Sequence, residues 1–582
     1  MIINTVQVTM INSNEIISSL KPFYREIRFR LSRNKADTIE RREVDGISEQ
    51  WKSIVDSSEE ILQKERNNKH ILFVSGYGLG SHYLAVEPII MMSLVARGCR
   101  ITSLYCNKSL PCCEFNISGN NKPRVIGEFR HGISDNAIEY RCHKCKNNLE
   151  QLYGNLPVIL TGLERYLSAE DYESAGRVAQ AVQFEHFRTF TYNDIAVGEE
   201  AFASILRATF MGEVQDSRPN RFLVARYIMS GILTTIAYEK AFLDIKPDRI
   251  VCIHGVYQTH GIAIKVAIKL GIPSIVMGGG GIRKSTLVLC HNETYHHQLV
   301  NESNDIWTQF VLTRDEKTKT MDYAVKRRDS GAGVDYLSYH HNALEDVSEI
   351  YRRCKIDSSR KIVTIYTNVI WDAQIFYNGN AFRDIFDWIV TSIEELSANK
   401  NVWVVIRIHP AEAQDKIPPK QPMLRELTKR FPVLPENIRI IPPESDISSY
   451  VLAQESVANI IYGTKMGLEI ALMKRPLIVC GETFSRNKGY GIDITSKKQY
   501  RELLANIEKI DFDVDKAFDT ALQYAHYYYF RRMLDIPFST GLGNGKQILI
   551  DKISDLVDGN FPGIDVICNG IIDLKPFYIG AK

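Results

Sequence analysis

The chain has 582 residues, more than one hydrophobic core organises, since single cores stop growing near roughly 250–300 residues. Hydrophobic residues make up 45% and charged residues 24%, and the net charge of +2 excludes a nucleic-acid partner held by bulk charge. No stretch reaches the roughly 18–20 apolar residues that cross a bilayer, and MIINTVQVTMINSNEII lacks the basic and apolar regions of a secretory signal, so a cytoplasmic location is expected.

Residues 1–66 read as a polar, helical N-terminal extension. Within it Lys21, Arg25, Arg28, Arg30 and Arg33 alternate with Phe23, Tyr24, Ile27, Phe29 and Leu31. That pattern suits either a helix lying on the anionic inner membrane surface or a solvated basic face. At 70–74 (HILFV) the pattern changes to a short β-rich run, followed by SGYGLGSH, a helical stretch over 85–97 and a second strand over 100–105. Strand, glycine turn, helix, strand is the signature of a parallel sheet. Helices are expected over 201–208, 222–242 and 261–270, and strands over 249–253 and 272–276. A polar stretch near 315–334 has little strand character. The alternation resumes with strands over 361–366, 401–408, 439–441, 458–462 and 476–480. Helices are expected over 384–396, 445–453, 465–473, 497–507, 510–532 and 546–557.

The fold class that follows is α/β, with two Rossmann-like domains facing across a cleft. The divisions are the extension 1–66, an N-terminal Rossmann-like domain 67–310 with a Cys-rich insertion 106–145, an interdomain region 311–355, a C-terminal Rossmann-like domain 356–520, and C-terminal helices 521–582.

Ligands of open α/β sheets sit outside the carboxyl ends of the strands. The residues there are polar in both halves: 75–82, 254–260, 368–372, 409–412, 463–464 and 481–488. The candidate binding residues in the second half are Asn368, Asp372, Arg407, His409, Pro410, Glu412, Thr464, Glu469, Gly481 and Lys488, with Arg407 on the preceding strand and Glu469 on the following helix. Pro410 ends a strand and leaves the His409 imidazole at its edge, where it can donate to a phosphate or sugar oxygen. Thr464 opens a helix and either caps it or meets an anion there. Glu469 either accepts ribose hydroxyls or is a solvated helix residue. In the first half His82, Glu87, His254 and His260 are candidate general bases or satisfied structural residues. Gly76, Gly78 and Gly80 miss the G-x-G-x-x-G spacing, and Tyr105-Cys106-Asn107 puts no acid after the second strand, which excludes a dinucleotide site. A tight turn that lets donor or acceptor approach the backbone is expected instead.

Eleven cysteines in such a chain do not suggest disulfides. Cys106, Cys112 and Cys113 precede Cys142-His-Lys-Cys145. The second pair has zinc-ribbon spacing and the first is irregular, so Cys106, Cys112, Cys142 and Cys145 are either a structural zinc site or buried thiols, with an iron–sulfur cluster as a third reading.

The run HPAE, then SSY, then YGTKMGLEIALMKRPLIVCGETF, then KGYGIDI resembles the bacterial capsule polysaccharide biosynthesis family. So do TNVIWDAQIFYNGNAF, LYCNKSLPCCE, CHKC and HGVYQTHG. The likeness spans most of residues 70–530 and is strongest over 361–500. It implies a GT-B fold related to the Kdo transferases of capsule synthesis. It further implies a sugar moved from a nucleotide-activated donor to a glycan or lipid-linked acceptor of the bacterial surface, capsule or lipopolysaccharide, with no cofactor needed for transfer. By this likeness His409 and Pro410 contact the donor nucleotide, Thr464 its phosphate and Glu469 its ribose. Three positions depart from the pattern: Lys474 where glycine is frequent, Ile470 where alanine follows the acid, and Lys465 where Ser or Thr is frequent. A CDP-glycerol-type polyol-phosphate transferase, a nucleotide-sugar epimerase and a non-catalytic assembly scaffold are the alternatives.

Overall fold

The computed structural model describes residues 41–58, 67–75, 78–79, 81–115, 135–279, 283–329, 335, 343–372, 380–414, 419–539 and 547–580. The basic run at 21–33, Gly76, Gly80 and the side chain of His82 lie outside the described residues. The first half is built on β1 (His70–Val74), β2 (Arg100–Tyr105), β3 (Ile159–Gly162), β4 (Arg249–Ile253), β5 (Ser274–Gly279) and β6 (Thr286–His291). The second is built on β7 (Lys361–Tyr366), β8 (Val402–Arg407), β9 (Ile438–Ile441), β10 (Ser456–Ile461), β11 (Leu477–Val479) and β12 (Ile492–Asp493). Then come β13 (Leu534–Asp535), β14 (Phe538–Ser539) and β15 (Gln547–Ile548).

The first sheet runs β13-β6-β5-β4-β1-β2-β3 and the second β12-β11-β10-β7-β8-β9. All pairs from β1 to β5, and all pairs of the second sheet, are parallel. In each sheet the strand order reverses once, between β1 and β4 and between β7 and β10. A doubly wound sheet opens a crevice for ligands at that reversal. Two Rossmann-like domains are therefore present, as expected for a GT-B chain.

Strand sequence explains the layering. Ile71 and Phe73 of β1 pack into one core with the helix Ser81–Ala96, whereas Leu72 and Val74 pack into a second core on the other face. A period of two divides the strand between faces, and both faces are covered, so β1 and β8 are buried throughout, His70 and Arg407 included. The long helix Arg218–Ile245 and the helices Val197–Thr209 and Tyr257–Lys269 fill the second face. Ser217 caps the long helix by accepting from the Asn220 N–H, and Lys246 ends it at φ +50°.

The C-terminal region departs from expectation. A helix starts after the Asp513 cap, runs Val514–His526 and widens into a π turn over Tyr527–Arg532. The chain then returns to the first domain. Leu534 pairs antiparallel with Leu287 of β6, and the helix Pro562–Asp573 packs its Ile564, Ile567 and Ile571 into the first core. Residues expected to be helical over 546–557 form β15 and a 3-10 turn, Ile553–Leu556. Asp555 takes the N–H groups of Asp551 and Lys552 at 3.0 and 3.1 Å, which closes a turn where a helix would have continued.

Candidate active site

The first side of the cleft is the end of β4. Three of four residues there have left-handed backbones: His254 (φ +60°), Gly255 (φ +68°) and Tyr257 (φ +74°). For a residue with a Cβ this costs roughly 1–2 kcal/mol, and such strain gathers at functional sites. Gly255 has no substitute, since a Cβ would lie 2.6 Å from Ile264 Cδ1 and 3.0 Å from Thr294 Cα. The loop is held by His254 N–H donating to the Met277 carbonyl at 2.9 Å, and by Thr294 Oγ1 donating to the His254 carbonyl at 2.9 Å. The half-buried His254 ring sits 6.4 Å from the Tyr257 ring and 6.1 Å from that of Tyr295.

The second side is the crevice between β7 and β10. Thr367 Oγ1 accepts from the His409 N–H at 3.0 Å, fixing the chain after β8 to the end of β7. The Ala411 N–H donates to His409 Nδ1 at 3.1 Å. An acceptor Nδ1 makes Nε2 the N–H of a neutral imidazole, so His409 presents a hydrogen-bond donor. Asn368 Nδ2 donates to the Val369 carbonyl at 3.1 Å, while Asn368 Oδ1 is buried with no partner among the described residues. Gly463 opposes it, and a Cβ there would sit 3.3 Å from Asn368 Nδ2. Thr464 Oγ1 accepts from the Met466 N–H at 3.4 Å, one residue ahead of Lys465, the N-cap of the short helix Met466–Leu472.

The two sides meet. The Tyr257 hydroxyl donates to Asp372 Oδ1 at 3.4 Å, and Arg207 Nε lies 3.7 Å from the same oxygen. The Arg207 guanidinium also covers the Trp371 ring at 4.6 Å. Two residues missed by sequence reasoning join this region. His296, half-buried, is pushed down by burial and then by His254, with Asp372, His297 and Lys465 also in electrostatic reach, so its imidazole is neutral. Lys465 is exposed yet hemmed in by protein, and desolvation, then Arg327, lowers its ammonium to about 8. Lys465 follows Thr464 directly and could have been found from that position. His296 had no signal, because Tyr295-His296-His297 follows β6, an antiparallel strand outside the search of parallel-strand ends.

Other expected residues turn away from the cleft. Arg407 is buried and donates to the carbonyls of Pro442 at 2.6 Å and Ser445 at 3.0 Å, with burial lowering it to about 10. Lys488 is buried as well. Its Nζ donates to the Glu302 carbonyl at 3.0 Å and the Val300 carbonyl at 3.4 Å, with burial lowering it to about 8. Both cations are thus consumed by backbone carbonyls. His260 is fully buried, and burial, then His254, depresses it to about 3. Glu87 is buried against Tyr153, whose hydroxyl donates to it, and burial raises it to about 7. Glu412 turns inward to accept from the Met423 N–H at 3.0 Å, and burial raises it to about 7. Glu469 is not solvated: its Oε1 accepts from the Tyr450 hydroxyl at 3.0 Å and pairs with Arg327 Nη1 at 3.0 Å. Pro410 is buried at the start of the turn Ala411–Gln414. Gly481 lies where a Cβ would meet the Tyr462 carbonyl at 2.7 Å, a packing requirement.

The glycine turn after β1 also has a packing role. A Cβ on Gly78 would lie 1.9 Å from the Cys145 carbonyl oxygen. Cys142 and Cys145 lie on the helix Asp135–Tyr153, and with Cys106 and Cys113 they line one cavity. Cys112 instead is buried in the second core and does not line it. Among the described residues, no three His, Cys, Asp or Glu side chains already enclose a single-ion site.

No protein-family profile matches the chain, and no curated protein matches it. Solved structures resemble it at the level of the fold. A KpsC beta Kdo 2,4 transferase from Thermosulfurimonas dismutans is 13% identical with a TM-score of 0.33, over 53% of this chain and 87% of that one. A UDP-GlcNAc 2-epimerase from Neisseria meningitidis is 10% identical with a TM-score of 0.23, over 78% and 94%. The spinosyn rhamnosyltransferase SpnG is 10% identical with a TM-score of 0.24, over 79% and 95%. Likeness at these values carries no inference about chemistry, which rests on the cleft residues themselves.

Proposed function

We propose that the chain is a GT-B glycosyltransferase that moves a sugar from a nucleotide-activated donor to a bacterial surface glycan, capsule or lipopolysaccharide. The observation that carries the reading is the cleft, where the crevice at β7 and β10 meets the strained end of β4 through Tyr257 and Asp372. The donor nucleotide occupies the β7/β10 crevice, the crevice position for ligands of a doubly wound sheet. Its phosphate takes the His409 Nε2–H, with Thr464 and Lys465 beside it. Asn368 Oδ1 accepts from the nucleotide or sugar, which satisfies a buried acceptor.

Transfer breaks the bond from the sugar's anomeric carbon to the leaving phosphate and forms one to an acceptor hydroxyl. Charge grows on the leaving phosphate, and preorganised donors stabilise it without reorganising. The acceptor hydroxyl gives up its proton to a base on the facing domain. Among the four residues first considered, His254 suits this role, because His260 and Glu87 are interior and the His82 side chain lies outside the described residues.

The test is thermal unfolding with CMP, CDP, UDP, GDP and their sugar conjugates, for the protein and for His409→Ala. A ligand at 100 times its Kd adds about 2.7 kcal/mol. A selective shift that His409→Ala loses supports the site. No shift with any nucleotide would overturn the reading, and conversion of a nucleotide sugar without acceptor would replace it with an epimerase.

A further inference from the structure

Four cysteines from two separate segments surround one cavity in the first domain. Cys106 and Cys113 come from the loop after β2, and Cys142 and Cys145 from successive turns of the helix Asp135–Tyr153. Of the nine other lining residues four are apolar, Leu79, Leu110, Phe115 and Leu149, and five are polar, Lys108 and Lys146 among them. None of the four thiols is joined in a disulfide. The other seven cysteines are buried at scattered places in the cores, as small hydrophobes commonly are.

We propose that Cys106, Cys113, Cys142 and Cys145 are thiolate ligands of one thiophilic metal centre, zinc or an iron–sulfur cluster, that pins this helix to the first sheet. Four cysteine sulfurs are the donor set such metals select. Among the described residues no three of these donors already stand close enough to hold an ion, so binding a metal would draw the sulfurs together across the cavity. One feature of the surroundings fits a bound anionic centre. The Gly78 N–H donates to Cys145 Sγ at 3.0 Å, the kind of backbone hydrogen bond that tunes metal thiolates.

The centre also explains the glycine turn. Gly78 packs against the backbone of Cys145, and Asn148 Nδ2 donates to the Gly78 carbonyl at 2.9 Å. The turn after β1, the loop after β2 and this helix thereby converge on the sulfurs, next to Thr259 of the helix that follows His254. The inference is independent of the sugar-transfer reading.

The experiment is elemental analysis and absorption spectroscopy of the whole protein purified without oxygen and without a His tag. About one zinc per chain without colour, or several irons with matching sulfide and a band near ~400 nm, supports the centre and tells the two metals apart. Protein that holds neither metal and takes up neither Zn²⁺ nor Fe²⁺ with sulfide overturns it. Cys113→Ser and Cys142→Ser are expected to lose the metal and Cys112→Ser to keep it. Metal retained in both of the first two variants also overturns the assignment, and the wild-type measurement stands whether or not the variants fold.

Discussion

The Tyr257 hydroxyl reaches Asp372 Oδ1 at 3.4 Å and so links the end of β4 to the segment after β7. The two domains touch at the ends of the strands that bound their crevices, next to the stacked pair of Arg207 and Trp371. Tyr257→Phe keeps the ring and removes the link. A hydrogen bond of this kind is worth about 0.5–1.5 kcal/mol net, so kcat/KM for transfer should fall roughly three- to tenfold while the thermal midpoint stays close to that of the parent.

His409 is expected to act as a donor through Nε2, because Nδ1 already accepts from Ala411. A hydrogen bond to a charged group contributes about 1.5–3 kcal/mol. His409→Ala should therefore raise the Kd for the donor nucleotide about ten- to hundredfold in isothermal titration. An unchanged Kd would remove His409 from the donor site.

Lys488 and Lys465 separate stability from binding. Lys488→Met leaves the carbonyls of Val300 and Glu302 without their buried donor, which should cost about 1–3 kcal/mol in urea unfolding and leave nucleotide affinity unchanged. Lys465→Met should do the reverse, weakening nucleotide binding with little loss of stability, since its side chain reaches solvent in the cleft.

Glu87 sets a pH dependence. Burial raises its folded-state value from 4.5 to about 7. The folded protein then holds a proton that the unfolded chain has released, so this contribution is fully present below pH 4.5 and is lost as pH rises through about 7. Glu87→Gln mimics the protonated form and still accepts from Tyr153. It should match the parent near pH 4.5 and exceed it at pH 8 by up to about 3 kcal/mol in denaturant unfolding. Equal stability at pH 8 would show that Glu87 ionises freely in the fold.

Lys474 stands where glycine is frequent in the family the sequence resembles, and its backbone is left-handed at φ +55°. Its ion pair with Asp515, at 2.6 Å, is exposed and contributes little. Removing a left-handed residue with a Cβ relieves roughly 1–2 kcal/mol, against the chain entropy that glycine adds. Lys474→Gly should raise the urea midpoint slightly, and a drop would mean the Asp515 pair matters more than the strain.

Much of the architecture is legible in the chain. HILFV, RIVCI and NVWVVIRI are apolar on both faces, and the polar residues that follow them mark strand ends. The turn over 551–556 was not legible, because its helical pattern competes with Asp555 capping the backbone locally. Arg407 and Lys488 are candidate binding residues in the sequence by their place at strand ends, but each donates to backbone carbonyls in the fold, a pairing between distant residues that the sequence does not show.

The sequence by itself determined the two βα arrays, the place of His409 and His254 at strand ends, and the pairing of Cys142 with Cys145 on one stretch of chain. Those features depend on local periodicity and on residues a few positions apart. Tertiary structure alone decided that the C-terminal segment returns to the first sheet, where Leu534 meets Leu287 and Arg97 meets Asp565. It also decided that Cys113 rather than Cys112 lines the cavity with the other three cysteines, since Cys112 packs into the core formed with the long helix Arg218–Ile245.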